Sequence, residues 1–277
     1  MDVKILNKLK FIRKKTFIWL CAVLGKMFYF FRLCEDKPGI IVLMYHRVNN
    51  NLPPGPMNIQ VSRFYEQIVH LKKHCRVVPM AAFDSFLTFV KNESNFKPTV
   101  IITFDDGFRD NYLNAYPILK KLELPATICL TTGFIGTNKT IPLYKDMPLP
   151  DYLSWKEINE MAEDVMTYIP HSVSHPMLPE LDYEGQKKEV AGSIQEMKLR
   201  LKQGSCERTF CYPFGGFKDP TTFDALDALG IKWALTTMPG SNKRLSRNLI
   251  IRRMTMNGYD SMETFKIKLK GIDPGDA

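Results

Sequence analysis

With 277 residues and 45% hydrophobic composition, the chain can bury one large core or two ordinary ones, and a single α/β barrel of this length needs no second domain. Charged residues at 24%, with no long low-complexity tract, exclude a largely disordered chain. The formal charge of +9 suggests nucleic acid, a membrane or an acidic glycan. Much of that charge sits at the N-terminus, where Lys4, Lys8, Lys10, Arg13, Lys14 and Lys15 face one acid, Asp2. No zinc-finger spacing, aromatic RNA-binding motif or basic helix running into heptads is present, so no nucleic-acid partner is expected.

After the basic stretch come the apolar segment Thr16–Leu24, then Gly25, Lys26 and the aromatic run Met27–Phe31. Positive residues before a short apolar segment resemble a signal peptide. Lys26 interrupts the run before it reaches the ~20 residues of a spanning helix. Trp19, Phe28, Tyr29 and Phe30 suit an interfacial segment. Residues 1–36 are therefore expected to be an anchor or uncleaved signal that contacts a membrane surface through residues 1–31. That places the protein at the cell envelope, membrane-associated. A buried or capping helix is the alternative. Residues 37–277 form the main domain.

Glu35–Gly39 is a polar linker. Ile40–Met44 reads as a buried strand ending at Tyr45-His46-Arg47, and Asn49–Pro56 is a loop. Ser62 is expected to cap a helix through Lys73 whose apolar face includes Phe64, Ile68 and Leu71. Thr99–Phe104 is the clearest strand, apolar and β-branched on both faces as in a parallel sheet beneath helices. It runs into Asp105-Asp106-Gly107, a helix through Lys121 and a strand at Ala126–Thr131. Gly133–Pro150 is an irregular loop, and Ser154-Trp-Lys-Glu157 is a capping box. A strand at Val165–Ile169 ends near His171, and a polar helix covers Tyr183–Lys202. Phe210-Cys-Tyr212 is a short strand, followed by a helix at Asp219–Leu229 and strands near Trp233–Thr236 and Leu249–Met256. Repeated strand–helix alternation means a parallel sheet with helices outside. Cys129 falls in an apolar run and packs as a small hydrophobe. The six cysteines, without C-x-x-C pairs, form no disulfide framework or structural zinc site.

Three chemically rich segments fall just after strands: Asp105-Asp106, His171–His175 and Tyr212–Phe214. In a parallel barrel those ends share one face, where active sites sit. Neighbouring carboxylates repel unless a cation or proton relieves them. His171 and His175 in His-Ser-Val-Ser-His can turn both imidazoles to one point. One carboxylate with two imidazoles is a common catalytic set for a divalent metal, leaving the other carboxylate as a base for water. Such a site suits attack on an acyl carbonyl. His70 and His74, four apart on a helix, read as solvated.

Thr103-Phe-Asp-Asp-Gly107, His171-Ser-Val-Ser-His175 and Phe210-Cys-Tyr-Pro-Phe-Gly215 resemble the leading motifs of the polysaccharide deacetylases, the NodB-homology group or carbohydrate esterase family 4. The likeness extends from Gly39 to Met256 and takes in Leu43-Met-Tyr-His-Arg47. It implies an α/β fold, a distorted (β/α) barrel with fewer than eight repeats. It also implies Asp105 as general base, Asp106, His171 and His175 as ligands of zinc (with cobalt or nickel possible), and the Tyr212 N–H at the oxyanion. Pro213, Phe214 and Trp155 are candidate substrate contacts, with core packing the preferred reading of Trp155, Phe214 and Trp233.

Two departures stand out. Cys211 occupies the place of an arginine that orients the base in many members, and the usual late Leu-x-His is missing. No histidine follows His175. His46, at a strand end, is the expected general acid, with packing as its alternative role. The implied function is removal of N-acetyl groups from N-acetylhexosamine units of a cell-surface polysaccharide, its precursor or peptidoglycan. Hydrolysis of a small amide or imide, and a catalytically silent glycan-binding protein, are the competing readings.

Overall fold

The first apolar run folds as strand β1 (Ile41–Tyr45), followed by β2 (Arg47–Val48), which pairs with β3 (Asn58–Ile59). Helix α1 (Val61–His74) buries Phe64, Gln67, Ile68 and Leu71, the stripe of an amphipathic helix. Its N-cap is Gln60, not Ser62. The Val61 N–H donates instead to Asn50 Oδ1 at 2.9 Å, so the preceding loop supplies the cap. In the computed structural model the described residues are 39–274, apart from 93–96, 142–150, 207, 244 and 246, with side chains at 89–92 also left aside. The segment expected at the membrane, residues 1–36, and the second half of the loop ending at Pro150, residues 142–150, lie outside them.

The chain continues through β4 (Arg76–Val77), α2 (Phe83–Asn92) and β5 (Thr99–Phe104). A π-helical turn at Asn111–Ala115 leads into α3 (Tyr116–Lys121), then β6 (Ala126–Leu130) and α4 (Trp155–Ala162). After β7 (Met166–Pro170) come α5 (Tyr183–Arg200), β8 (Thr209–Cys211) and α6 (Thr221–Ala228). β9 (Trp233–Leu235), β10 (Met254–Thr255) and α7 (Met262–Lys268) complete the domain. The last strand is shorter than expected. The Arg252 N–H donates to Asn242 Oδ1 and the Arg253 N–H to Met238 O, both at 2.9 Å. The loop before it therefore takes bonds that a longer ladder would have used.

The strands pair in parallel in the order β10-β1-β5-β6-β7, with β4 on the start of β5, and β8-β9 form a separate parallel pair. Single bridges at Tyr168–Ser205 and Leu235–Ile251 carry the curve between the pieces. Helices follow most strands, so the architecture is the distorted (β/α) barrel that the alternation and the resemblance implied.

Strand side chains alternate between two cores. Val42, Ile101, Cys129, Ile169, Cys211, Leu235 and Ile251 meet in the barrel interior. Leu43, Ile102, Phe104, Ile128 and Tyr168 face the other way and pack with Phe64, Ile68 and Leu71 of α1. The capping box of α4 forms as expected: Ser154 Oγ accepts from the Glu157 N–H at 3.2 Å, and Glu157 Oε2 accepts from the Ser154 N–H at 2.8 Å. Such a cap contributes about 1 kcal/mol. Glu157 also accepts from Arg109 Nε at 2.7 Å, tying α4 to the segment after β5. Among the described residues no helix is long and apolar enough to cross a membrane.

Candidate active site

Period-two alternation brings the site together. Continued past the strand ends, the interior row of β5 (Ile101, Thr103) reaches Asp105, that of β7 (Ile169) reaches His171, and that of β1 (Val42, Met44) reaches His46. Ile251 leads in the same way to Arg253. Asp105, His171 and His46 therefore emerge at the C-terminal mouth of the barrel, above an apolar plug, and Arg253, just before β10, reaches Asp105 from lower in the barrel.

Asp106 sits beside both imidazoles. Its Oδ1 lies 3.5 Å from His171 Nε2 and 3.2 Å from His175 Nε2, with all three side chains buried. His171 Nδ1 lies 2.8 Å from the Cys211 carbonyl oxygen. A carbonyl only accepts, so Nδ1 carries the proton and the neutral ring turns the Nε2 lone pair toward Asp106. Two electron-rich atoms facing each other call for a cation between them. A divalent metal or a proton can fill that role. Burial pushes the His171 pKa down, but Cys211 and the Asp106 carboxylate outweigh it and hold it well above the ordinary value. Burial likewise disfavours the Asp106 charge, yet hydrogen bonds from His171 and His175 keep its carboxyl well below the usual range. Asp106, His171 and His175 have ligand atoms within 4.8 Å of one another. The set fits a divalent metal in number, softness and burial.

Backbone strain marks the same spot. Asp106 (φ 73°), Ser172 (64°), His175 (57°) and Phe214 (55°) all hold left-handed conformations, and Glu123 is the one other non-glycine residue doing so among those described. Each is disfavoured by roughly 1–3 kcal/mol, and such residues gather at functional sites.

Asp105 has a different partner. Its two oxygens accept a bidentate pair from Arg253, both contacts at 2.7 Å. Burial raises its pKa, but the guanidinium beside it wins and the carboxyl stays below the ordinary range. Arg253 is itself fully buried and braced by Nε donating to Thr236 O at 2.7 Å. The Cys211 thiol lies 3.8 Å from Asp105 Oδ1. The residue standing where the resemblance places an arginine thus still touches Asp105, while the guanidinium arrives from far along the chain. Sequence reasoning missed Arg253. The signal was a charged residue at the inward parity of the apolar run Leu249–Met256, which requires a buried acid.

His46 is partly exposed, and its carbonyl accepts from Asn111 Nδ2 at 2.9 Å. Its Nδ1 is buried with no hydrogen-bond partner, the kind of exception that asks for a functional reason. Burial lowers its pKa, although Asp105 and Asp106 pull the other way. The uncharged ring is favoured, so it must gain a proton before it can give one.

One expected contact is corrected. The Tyr212 N–H donates to Leu235 O at 3.0 Å. That amide is part of the bonding between β8 and β9, and the Tyr212 side chain lies in an outer core with its hydroxyl on Leu249 O at 3.1 Å. It therefore does not offer an oxyanion donor. Trp155 packs against the core around the helices, and none of the site's hydrogen bonds or ring contacts involves it. Pro213 is buried and Phe214 half-buried. The Phe214 ring stands edge-on to His175 at 4.4 Å between centroids, so Phe214 does reach the site. Trp233 is a core residue packed on Phe83. The rings of His70 and His74 lie 4.5 Å apart on α1, with His74 exposed.

A family model described as polysaccharide deacetylase matches residues 92–234, just over half of the chain and including both aspartates and both histidines. Over 265 residues the chain is 26% identical to the poly-beta-1,6-N-acetyl-D-glucosamine N-deacetylase of Staphylococcus epidermidis, covering 87% of each protein. The Streptococcus pyogenes deacetylase PplD, solved in complex with acetate, is similar with a TM-score of 0.67 and 25% identity, over 86% of this chain and 100% of that one. IcaB from Ammonifex degensii is similar in fold, with a TM-score of 0.69 and 23% identity over 84% of this chain and 97% of that one. Motifs, barrel and relatives agree, and the chain belongs to the polysaccharide deacetylase family.

Proposed function

We propose that this polysaccharide deacetylase removes N-acetyl groups from N-acetylglucosamine units of a cell-surface glycan, with zinc held by Asp106, His171 and His175. The observation that carries the reading is the division of labour between adjacent buried carboxylates. Asp105 is paired with Arg253, whereas Asp106 is turned to two imidazoles. Environments that separate two neighbouring acids in this way assign them different tasks. The relative named for a poly-beta-1,6-N-acetyl-D-glucosamine substrate supports a β-1,6-linked glycan. The basic and apolar residues 1–31 suit a protein working at a membrane surface in the cell envelope.

When bound, the metal would supply a Lewis acid that polarises the acetyl carbonyl and acidifies water. The chain's own residues do the rest. Asp105 takes a proton from the attacking water. Arg253 keeps that carboxylate ionised and fixes the direction of its oxygens. Phe214 walls the site against His175. His46, on the same face, hydrogen-bonds the leaving nitrogen and hands on to it the proton that Asp105 took from water, so that both side chains return to their starting states. A silent glycan-binding protein would have no use for a buried aspartate held ionised by a buried arginine, which places that reading behind catalysis.

Acetate release by the zinc-loaded full chain from β-1,6-linked N-acetylglucosamine oligomers, beside chitin oligomers and peptidoglycan, tests this. Release from the β-1,6 oligomers in preference to the others is expected. Stoichiometric zinc with no acetate from any glycan would move the small-amide reading ahead. Replacing His46 with Ala should lower turnover by ~10²–10⁴-fold, the usual effect of a lost general acid. Unchanged turnover would reduce His46 to packing.

A further inference from the structure

We propose that Glu189, on α5, is a positioning residue of the metal site, holding the His171–His175 loop in the shape that presents both imidazoles. This rests on the reading of Asp106, His171 and His175 as metal ligands. The loop needs a holder. Ser172 and His175 both occupy left-handed backbone conformations, and non-glycine residues stay there only when their surroundings over-determine them.

Glu189 supplies much of that determination. Its Oε2 accepts from the Val173 N–H and the Ser174 N–H, each at 2.9 Å, and its Oε1 accepts from Ser174 Oγ at 2.8 Å. One carboxylate thus engages three donors lying between the two histidines. Carboxylate hydrogen bonds to backbone N–H groups are about twice as strong as neutral ones. Within the loop, the His175 N–H donates to Ser172 Oγ at 3.0 Å. On the opposite side the segment after β6 grips the same residues: the Thr132 N–H reaches Ser172 O at 3.2 Å and the Gly133 N–H reaches Val173 O at 2.9 Å.

The helix is shaped to approach this closely. Gly192 lies three residues after Glu189, on the same helix face. A Cβ there would come 2.9 Å from Val173 Cγ2. Glycine inside a helix is disfavoured by about 1 kcal/mol relative to alanine, and the close approach of Val173 accounts for its presence. The ligand loop is clamped between α5 and the end of β6. Its backbone donors point to Glu189 while its imidazoles point to Asp106. The hydrogen bonds of Glu189 go to Val173 and Ser174 rather than to Asp106 or the imidazoles, so it acts through the loop.

The test is zinc affinity of the full chain, read by competition with a chromophoric chelator, with melting of the metal-free protein followed alongside. Glu189→Ala should weaken zinc binding by roughly 10–100-fold, as loss of residues that orient metal ligands does. Hydrogen exchange at the Val173 and Ser174 amides should accelerate. Glu189→Gln should restore affinity to near wild type, because its carbonyl can accept both N–H groups while its NH₂ donates to Ser174 Oγ. A lowered melting temperature with zinc affinity unchanged would overturn the proposal, leaving a structural role only. If Glu189→Ala does not fold, Glu189→Asp, one methylene short of the loop, should show the same weakening. Zinc binding equal to wild type in Asp106→Ala would instead sink the ligand assignment, and the proposal with it.

Discussion

Asp105→Asn is expected to abolish measurable acetate release and also to destabilise the fold, two effects with one cause. The amide cannot take a proton from water, and loss of a positioned base lowers rate by ~10²–10⁴-fold. The substitution also leaves the Arg253 guanidinium, fully buried and built for a bidentate carboxylate, facing a neutral group. Breaking a buried pair from one side typically destabilises by roughly 3–5 kcal/mol. Urea unfolding beside acetate assays would separate the two.

The pH dependence of stability gives a further check. Because Asp105 is held below the ordinary carboxylate range when folded, its contribution is present above the unfolded value of about 3.9 and is lost as pH falls through the lower folded value. Asp105→Asn should remove that part of the acid limb. Turnover within tenfold of wild type would show that another group is the base.

Arg253→Leu should move the base itself. Without the guanidinium, burial loses its largest opponent, leaving only His171 and His46 against it, and the Asp105 pKa rises. The acid limb of kcat/KM should then climb toward neutrality, with turnover depressed below it. Stability should fall by roughly 3–5 kcal/mol for the reason given above, so the pH profile rather than the rate is the diagnostic quantity. Arg253→Lys retains the charge but cannot make two parallel bonds to a carboxylate. It should fold better than the Leu variant and shift the profile less. A variant with reduced rate but an unmoved pH profile would mean that Arg253 serves only to pack the barrel interior.

These expectations come from different depths of the chain. Strand–helix alternation, with Thr99–Phe104 and Val165–Ile169 read as strands, was enough to send Asp105, Asp106, His171 and His175 to one end of the barrel. A parallel sheet sends all strand ends the same way, so no detail of packing was needed. The capping box at Ser154–Glu157 was legible for a similar reason, since its partners are three residues apart and the interaction is local.

Other features depend on closure of the barrel. Arg253 meets Asp105 across 148 positions of sequence; its inward parity asks for a buried acid but does not say which one. Cys211 marked a departure from the base-orienting arginine of many members, and a guanidinium arrives instead from Arg253, just before β10. The Tyr212 amide was a reasonable oxyanion donor by motif, but pairing between β8 and β9 had already claimed it. Gln60 displaced Ser62 as helix cap because the loop at Asn50 folds back onto the first turn. Glu189 was one polar residue among many on a polar helix, marked only by what lies against it. Local chemistry and strand direction, written in the sequence, determined which residues face the site. Which buried charges are paired, which amides are left to bind and what braces the ligand loop were decided by contacts between distant segments, because hydrogen bonding and desolvation act between whatever groups the closed fold brings together.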